Sequence, residues 1–264
     1  MDIINTGEWL LDEPDPAELA VKLQDYFPGW SAYEIEAHLA RNGMFRKEKN
    51  WPFLYKKEVW EVIEKEADML KKEWQGPSIP IFIFPSDDQN EELFKLYAGK
   101  SGLAFADKLF LFVHEQTDTK ELRALFTHEY NHVCRFKKLK KPDAAFTLLD
   151  TIIAEGIAEN AVLERFGKSY TAGWTETYTT KELEHIWQKI ILPNVHLLKS
   201  SVKHQLILFG KKGYPRMSGY CTGFYLVHNY LKKNRLAIKD ILGTPAKVIA
   251  PIPEKNHPFR SFFT

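Results

Sequence analysis

Two histidines and a glutamate with the spacing of a metal site lie in residues 125–133, Leu-Phe-Thr-His-Glu-Tyr-Asn-His-Val. In a helix, His128 and His132 lie only about 40° apart around the axis and one turn apart along it, so both imidazoles can reach one ion. Glu129 lies on the flank of the same face, where its carboxylate can contact a water on the metal rather than the metal itself. The spacing predicts a zinc-dependent hydrolytic site. A pair of hydrogen-bonded core histidines is the alternative.

A second helix, which contains Glu155 and Glu159, is predicted over residues 146–166. Apolar residues occupy almost every direction around it, which is typical of a buried helix, and Glu155 and Glu159 share one face as exceptions. A buried carboxylate is costly unless a cation or strong donors meet it, and a metal ion would be such a partner. Gly156 costs the helix about 1 kcal/mol relative to alanine. It therefore indicates a close approach by another element, for which the histidine helix is the candidate.

Two further residues have side chains that could ligate a metal. Cys134 follows His132 by two positions, about 200° around the helix, so it points away and is predicted to be a small buried side chain. His114 lies outside the helix at the end of an apolar run, and is predicted to be a surface or core histidine.

The combined pattern resembles a known class of enzymes. His-Glu-x-x-His followed by Glu-Gly-x-Ala-Glu on a later helix resembles the gluzincin metallopeptidases. With residues 215–220, Pro-Arg-Met-Ser-Gly-Tyr, the pattern resembles the YjaZ-like family of predicted bacterial zinc-dependent proteases, over roughly residues 75–235. His132 and Glu155 are 155 − 132 = 23 residues apart. That separation is a few residues longer than in the thermolysin-like and aminopeptidase branches, so the loop between the helices must differ.

The resemblance implies a role for each residue of the motif. His128, His132 and Glu155 would ligate one Zn²⁺ and leave a fourth position for water. Glu129 would take the proton from that water, which would attack a peptide carbonyl. Glu159 would accept a hydrogen bond from the free nitrogen of a ligand histidine.

A second donor normally helps to stabilise the oxyanion formed by such an attack. The candidates are Tyr220, Tyr225, His228 and Arg216; Tyr220 ranks first because it lies in the Gly-Tyr element that resembles the family pattern. A core aromatic is the alternative for Tyr220, and Arg216 could instead bind a substrate carboxylate or a local acid. Residues 101–106 are predicted to form an exposed edge strand on which an extended peptide could lie, with an ordinary edge strand or turn as the alternative.

The elements that must position these residues follow from periodicity and turn signals. Short buried strands are predicted at residues 79–84 and 109–113, and the tail after Gly243 is predicted to be extended. Helices are predicted at residues 57–74, 119–138, 146–166, 181–209 and 218–233.

The resulting fold class is α+β. By resemblance it is gluzincin-like: a small mixed sheet within residues 79–113, a mainly helical C-terminal lobe, and a zinc cleft between the lobes. The predicted organisation is a helical N-terminal segment over residues 1–75, a sheet and histidine-helix lobe over 76–140, and a helical lobe with the third ligand over 141–264.

Composition excludes several other classes of protein. The 36 basic and 35 acidic residues give a net charge of +1. The chain lacks the excess of positive charge that binding to nucleic acid requires, so no nucleic-acid partner is predicted. Two cysteines do not make a disulfide framework, and no signal-like or membrane-spanning apolar run is present, so a cytoplasmic location is predicted.

The expected partner is a peptide or protein substrate. The competing hypothesis is a non-catalytic, peptide-binding or regulatory protein that retains the gluzincin-like fold and uses the same zinc site structurally or as part of a regulated peptide-binding lobe. Three convincing ligands, rather than the four of a structural site, and the position of Glu129 favour catalysis.

Overall fold

A computed structural model describes residues 1–47, 49–250 and Ile252, with the side chain of Leu96 outside the description. The chain divides into two compact units, Met1–Val133 and Cys134–Thr264. The strands are β1 (Asp2–Ile4), β2 (Pro80–Pro85), β3 (Ser101–Ala104) and β4 (Leu109–Val113). The helices are α1 (Thr6–Asp12), α2 (Pro16–Lys22), α3 (Ala32–Arg41), α4 (Lys57–Trp74), α5 (Glu91–Tyr97), α6 (Thr119–Leu139), α7 (Leu148–Phe166), α8 (Thr180–Ile186), α9 (Val202–Phe209), α10 (Ser218–Asn234), α11 (Ile238–Ile241) and α12 (Ala246–Ile249).

The first unit contains a four-stranded mixed sheet in the order β1-β2-β4-β3. β2 pairs in parallel with both β1 and β4, and β3 pairs antiparallel with β4. β2 and β4 are short runs of apolar residues that are buried along almost their whole length. A short apolar run is typical of a buried strand, so the sequence predicted both. The mixed sheet and the many helices confirm the α+β class. The gluzincin-like arrangement, its zinc cleft and the predicted domain boundaries stay predictions.

The part of the histidine helix α6 that lies in the first unit is held there by polar contacts along one side. The buried carboxylate of Glu66, on α4, accepts a hydrogen bond from Arg123 Nε at 2.7 Å, and the Thr127 hydroxyl lies 3.5 Å from its other oxygen. One turn further along, the Tyr130 hydroxyl donates to the carbonyl of Pro77 at 2.9 Å. These contacts fix the rotation of α6 about its axis, and with it the direction in which the histidines point.

The second unit is organised around α7 and α10, which pack with their backbones very close together. A Cβ on Gly156 would lie 2.2 Å from the carbonyl oxygen of Gly223, and a Cβ on Gly223 would lie 1.8 Å from that of Ile152. Backbone atoms cannot move aside cheaply, so a larger residue at either position would force the two helices apart. The close packing that glycine permits offsets its helix penalty of about 1 kcal/mol relative to alanine. The neighbour at Gly156 is therefore α10, and the prediction that it would be the histidine helix was wrong.

Two predicted elements differ from the structure. Residues 181–209 do not form one helix: α8 ends at Ile186, and a π-helical turn and a 3₁₀ turn that includes Pro193 precede a separate α9. Proline has no backbone N–H, and its ring clashes with the carbonyl four residues earlier, so a regular α-helix does not continue through residue 193. The tail after Gly243 is not simply extended, since Ala246–Ile249 form α12; most of the remaining tail lies outside the described residues.

Within the described residues, no helix has both the length and the apolar character needed to cross a membrane. The cytoplasmic location stays a prediction.

Candidate metal centre

The two motif histidines lie on one face of α6, as the spacing predicted. Their Nε2 atoms are 3.3 Å apart, and the rings meet at 75° with centroids 5.0 Å apart. Two nitrogens that bind one zinc at about 2.0–2.1 Å with a tetrahedral angle are separated by about 3.3–3.4 Å. The spacing of His128 and His132 therefore suits a pair of ligands to one ion.

Glu155 completes a group of possible ligands. One ring nitrogen from each histidine and one carboxylate oxygen of Glu155 all lie within 4.8 Å of one another. Among the described residues, this is the one group of three or more such side chains that could hold a metal ion. Two imidazoles and one carboxylate are a donor set used by catalytic zinc sites, which keep a fourth position open. The residues present thus fit zinc.

Glu129 lies against the edge strand of the sheet. Its side chain is nearly buried, with 8% exposed, and a Cβ on Gly102 would lie 2.2 Å from its Cγ. The sequence predicted an exposed edge strand over residues 101–106, but not the contact of Gly102 with Glu129. The available signal was a glycine within a strand, which often marks a close approach by another group.

Glu159 lies one turn beyond Glu155 on α7 and is buried, with 4% exposed. Its Oε1 accepts a hydrogen bond from the backbone N–H of Ala172 at 2.6 Å. One oxygen of this carboxylate therefore holds the segment that follows α7. The predicted hydrogen bond to a ligand histidine stays a prediction.

Tyr220 lies in the first turn of α10 and is half-buried in an aromatic cluster. Its ring centroid is 5.3 Å from that of Trp174 and 5.5 Å from that of Phe209. Met217, just before α10, has a left-handed backbone (φ 52°), and its N–H donates to the carbonyl of Phe209 at 2.9 Å. The aromatic neighbours and the turn together fix the position of the ring. The role of its hydroxyl stays a prediction.

The other oxyanion candidates have identifiable contacts or positions. His228 Nδ1 lies 3.2 Å from the Asn160 side-chain oxygen; desolvation, and then the charge of Lys232, lower the pKa of His228. The carbonyl of Arg216 accepts a hydrogen bond from the Tyr178 hydroxyl at 2.7 Å. Tyr225, on α10, is half-buried.

The cysteines are buried and His114 is half-buried. Cys134 is fully buried, as predicted. Burial raises the pKa of the Cys221 thiol to about 12, and its S–H donates to the carbonyl of Trp174 at 3.0 Å, so it is protonated and not a nucleophile at neutral pH. His114 packs edge-on against Phe94 with ring centroids 5.1 Å apart.

Comparisons with known proteins point to the same chemistry. Residues 59–251 match the family model described as "Predicted Zn-dependent protease (DUF2268)". The chain is 40% identical over 256 residues to a Bacillus subtilis (strain 168) protein titled "Uncharacterized protein YjaZ", covering 94% of this chain and 97% of YjaZ. It is 20% identical over 182 residues to YjfC of the same organism, covering 63% of this chain and 58% of YjfC. No solved structure matches significantly. With a family match over most of its length and a relative this similar, the chain belongs to the family of predicted zinc-dependent proteases.

Proposed function

We propose that this protein is a zinc metallopeptidase in which His128, His132 and Glu155 hold the metal. The observation that carries the proposal is the convergence of these three ligand atoms within 4.8 Å, with Glu129 next to the first histidine on the same helix. Zinc held there would supply a Lewis acid that lowers the pKa of water and polarises a carbonyl.

Glu129 acts as the general base in this proposal. Its carboxylate takes a proton from the attacking water as the water oxygen bonds to the peptide carbonyl carbon. When the carbon–nitrogen bond breaks, the same carboxyl group returns the proton to the leaving amine. A side chain that is 8% exposed is well protected from bulk water, which favours a defined position over free rotation.

The edge strand β3 would hold the substrate backbone. Phe105 N–H donates to the carbonyl of Lys108 at 2.9 Å, so these two residues form a hydrogen-bonded antiparallel pair next to the hairpin turn. Pairs alternate along an antiparallel ladder, so Gly102 and Ala104 occupy non-hydrogen-bonded positions opposite β4. Their N–H and C=O groups point to the open side of the strand, where an extended peptide can pair with them. Since Gly102 also touches Glu129, that peptide would lie beside the proposed base.

Two further groups complete the proposal. The Tyr220 hydroxyl would donate to the oxyanion, with its ring held in place by Trp174 and Phe209. Glu159 would orient a ligand histidine while its Oε1 holds Ala172.

Turnover of a quenched fluorescent peptide library tests the proposed function, with bound zinc quantified in the same samples. We expect cleavage by the zinc-loaded protein, loss of cleavage after a chelator, and recovery when zinc is restored. A fully zinc-loaded protein that cleaves nothing across a diverse library would favour the alternative, a non-catalytic peptide-binding or regulatory protein that retains the metal.

Replacing Glu159 with glutamine is expected to weaken zinc affinity or activity by about 10–100-fold, with part of the activity recovered by added zinc. Glutamine preserves the size of the side chain and its acceptor for Ala172, but removes the negative charge. Zinc affinity by chelator competition, together with initial rates at several zinc concentrations, measures the effect. Unchanged affinity and rates would restrict Glu159 to its contact with Ala172.

A further inference from the structure

Gly102 has a backbone conformation that does not require glycine. It is not among the glycines with positive φ, so its strand conformation is open to any residue. Glycine weakens a strand because it adds flexibility to the unfolded chain and packs no side chain. The reason for a glycine at this position therefore lies in what surrounds it.

The surrounding group is the side chain of Glu129. A Cβ built on Gly102 would lie 2.2 Å from Glu129 Cγ, 2.5 Å from Cδ and 2.6 Å from Oε1, whereas ordinary contacts are 3.4–4 Å. Turning the carboxylate about its last bonds would not relieve the overlap, because Cγ itself is too close. Glu129 would have to adopt another χ1 rotamer, which moves its carboxylate by more than an ångström.

We propose that Gly102 is a positioning residue for the proposed base, an inference that rests on the proposed function. The missing side chain lets Glu129 hold its carboxylate directly against β3, at the position whose N–H and C=O point to the open edge. The same residue thus sets the distance between the base and a peptide paired with the strand. A larger residue at this position leaves the strand and its outward groups in place but displaces the base.

The variant Gly102→Ala separates the position of the base from the pairing of the peptide with β3. We expect kcat to fall about 10²-fold, because a base misplaced by about 1 Å costs a factor of that size. KM should stay within about twofold, because the groups that pair with the peptide are unchanged, and zinc content should equal that of the wild type. Gly173→Ala is the matched control: Gly173 has no positive φ, and a Cβ there meets nothing within 4 Å.

A double variant tests whether Gly102 acts through Glu129. Adding Gly102→Ala to Glu129→Gln should reduce turnover little further, whereas independent effects would multiply. If Gly102→Ala cleaves with the wild-type kcat, or if the two losses multiply, the positioning role is overturned while the proposed function stands.

Crystal structures of the wild type and Gly102→Ala give a readout that does not depend on activity. We expect the Glu129 side chain to occupy a different χ1 rotamer in the variant, with the β3–β4 register unchanged. A Glu129 side chain that keeps its wild-type rotamer in the Gly102→Ala structure would overturn the inference. Absence of turnover by the zinc-loaded wild type would instead count against the proposed function, and the two failures are distinguishable.

Discussion

Replacing Glu129 with glutamine is expected to leave zinc content unchanged and to lower peptide turnover by about 10²–10⁴-fold. Glutamine has nearly the same size, so the contact with Gly102 and the packing of α6 are retained. The amide cannot accept the proton of the attacking water, and the chemical step loses its base. Initial rates and bound zinc, measured on the same samples, test the expectation.

Glu64→Gln is a suitable control, since it makes the same chemical change on an exposed position of α4. It should cleave at the wild-type rate. If Glu129→Gln also does so while carrying its full zinc, Glu129 is not the base and the proposed site is not where the reaction occurs.

Replacing Glu155 with glutamine is expected to reduce zinc affinity by more than the 10–100-fold typical of losing an outer hydrogen-bond partner. The variant removes the negative charge from the proposed ligand set and leaves two neutral imidazoles with a weak amide oxygen. Because a metal that binds only the folded state stabilises it, added zinc should raise the melting temperature of the wild type far more than that of the variant.

A comparison with Glu159→Gln separates direct ligation by Glu155 from the general charge of the helix. Both glutamates lie on α7, four residues apart, and both changes remove one negative charge from the same helix. A larger loss of zinc affinity for Glu155→Gln is the expected order. Equal losses would mean that the general charge of the helix, rather than direct ligation by Glu155, governs zinc binding.

Features that depend on neighbouring residues in the chain were predictable from the sequence. The 3.6-residue period gave α4 with its observed bounds and α6 to within a residue, and it placed His128 and His132 on one face. Apolar runs gave β2 and β4 to within a residue or so. In these cases the pattern that predicts the element lies entirely within the residues of that element.

Features that depend on distant parts of the chain were not predictable in the same way. β1 has three residues, too few to show a period, and is a strand because it pairs with β2 nearly eighty residues later. The glycine in α7 correctly indicated close packing, but its chemistry carries no information about which helix approaches. The contact between Gly102 and Glu129 likewise needs the sheet and α6 to be assembled.

The pairing of β1 with β2 also bears on aggregation. β1 covers the edge of a strand whose sequence, Pro-Ile-Phe-Ile-Phe-Pro, is apolar throughout and buried from Ile81 onward. If proteolysis removed the first five residues, the backbone groups of Pro80–Phe82 that bond to β1 would lose their partners; Pro80 itself offers only its C=O. An uncovered apolar edge of this kind is a template for pairing between molecules, and the flanking prolines only partly oppose it. We therefore expect removal of the N-terminal strand to promote self-association as well as to shorten the sheet.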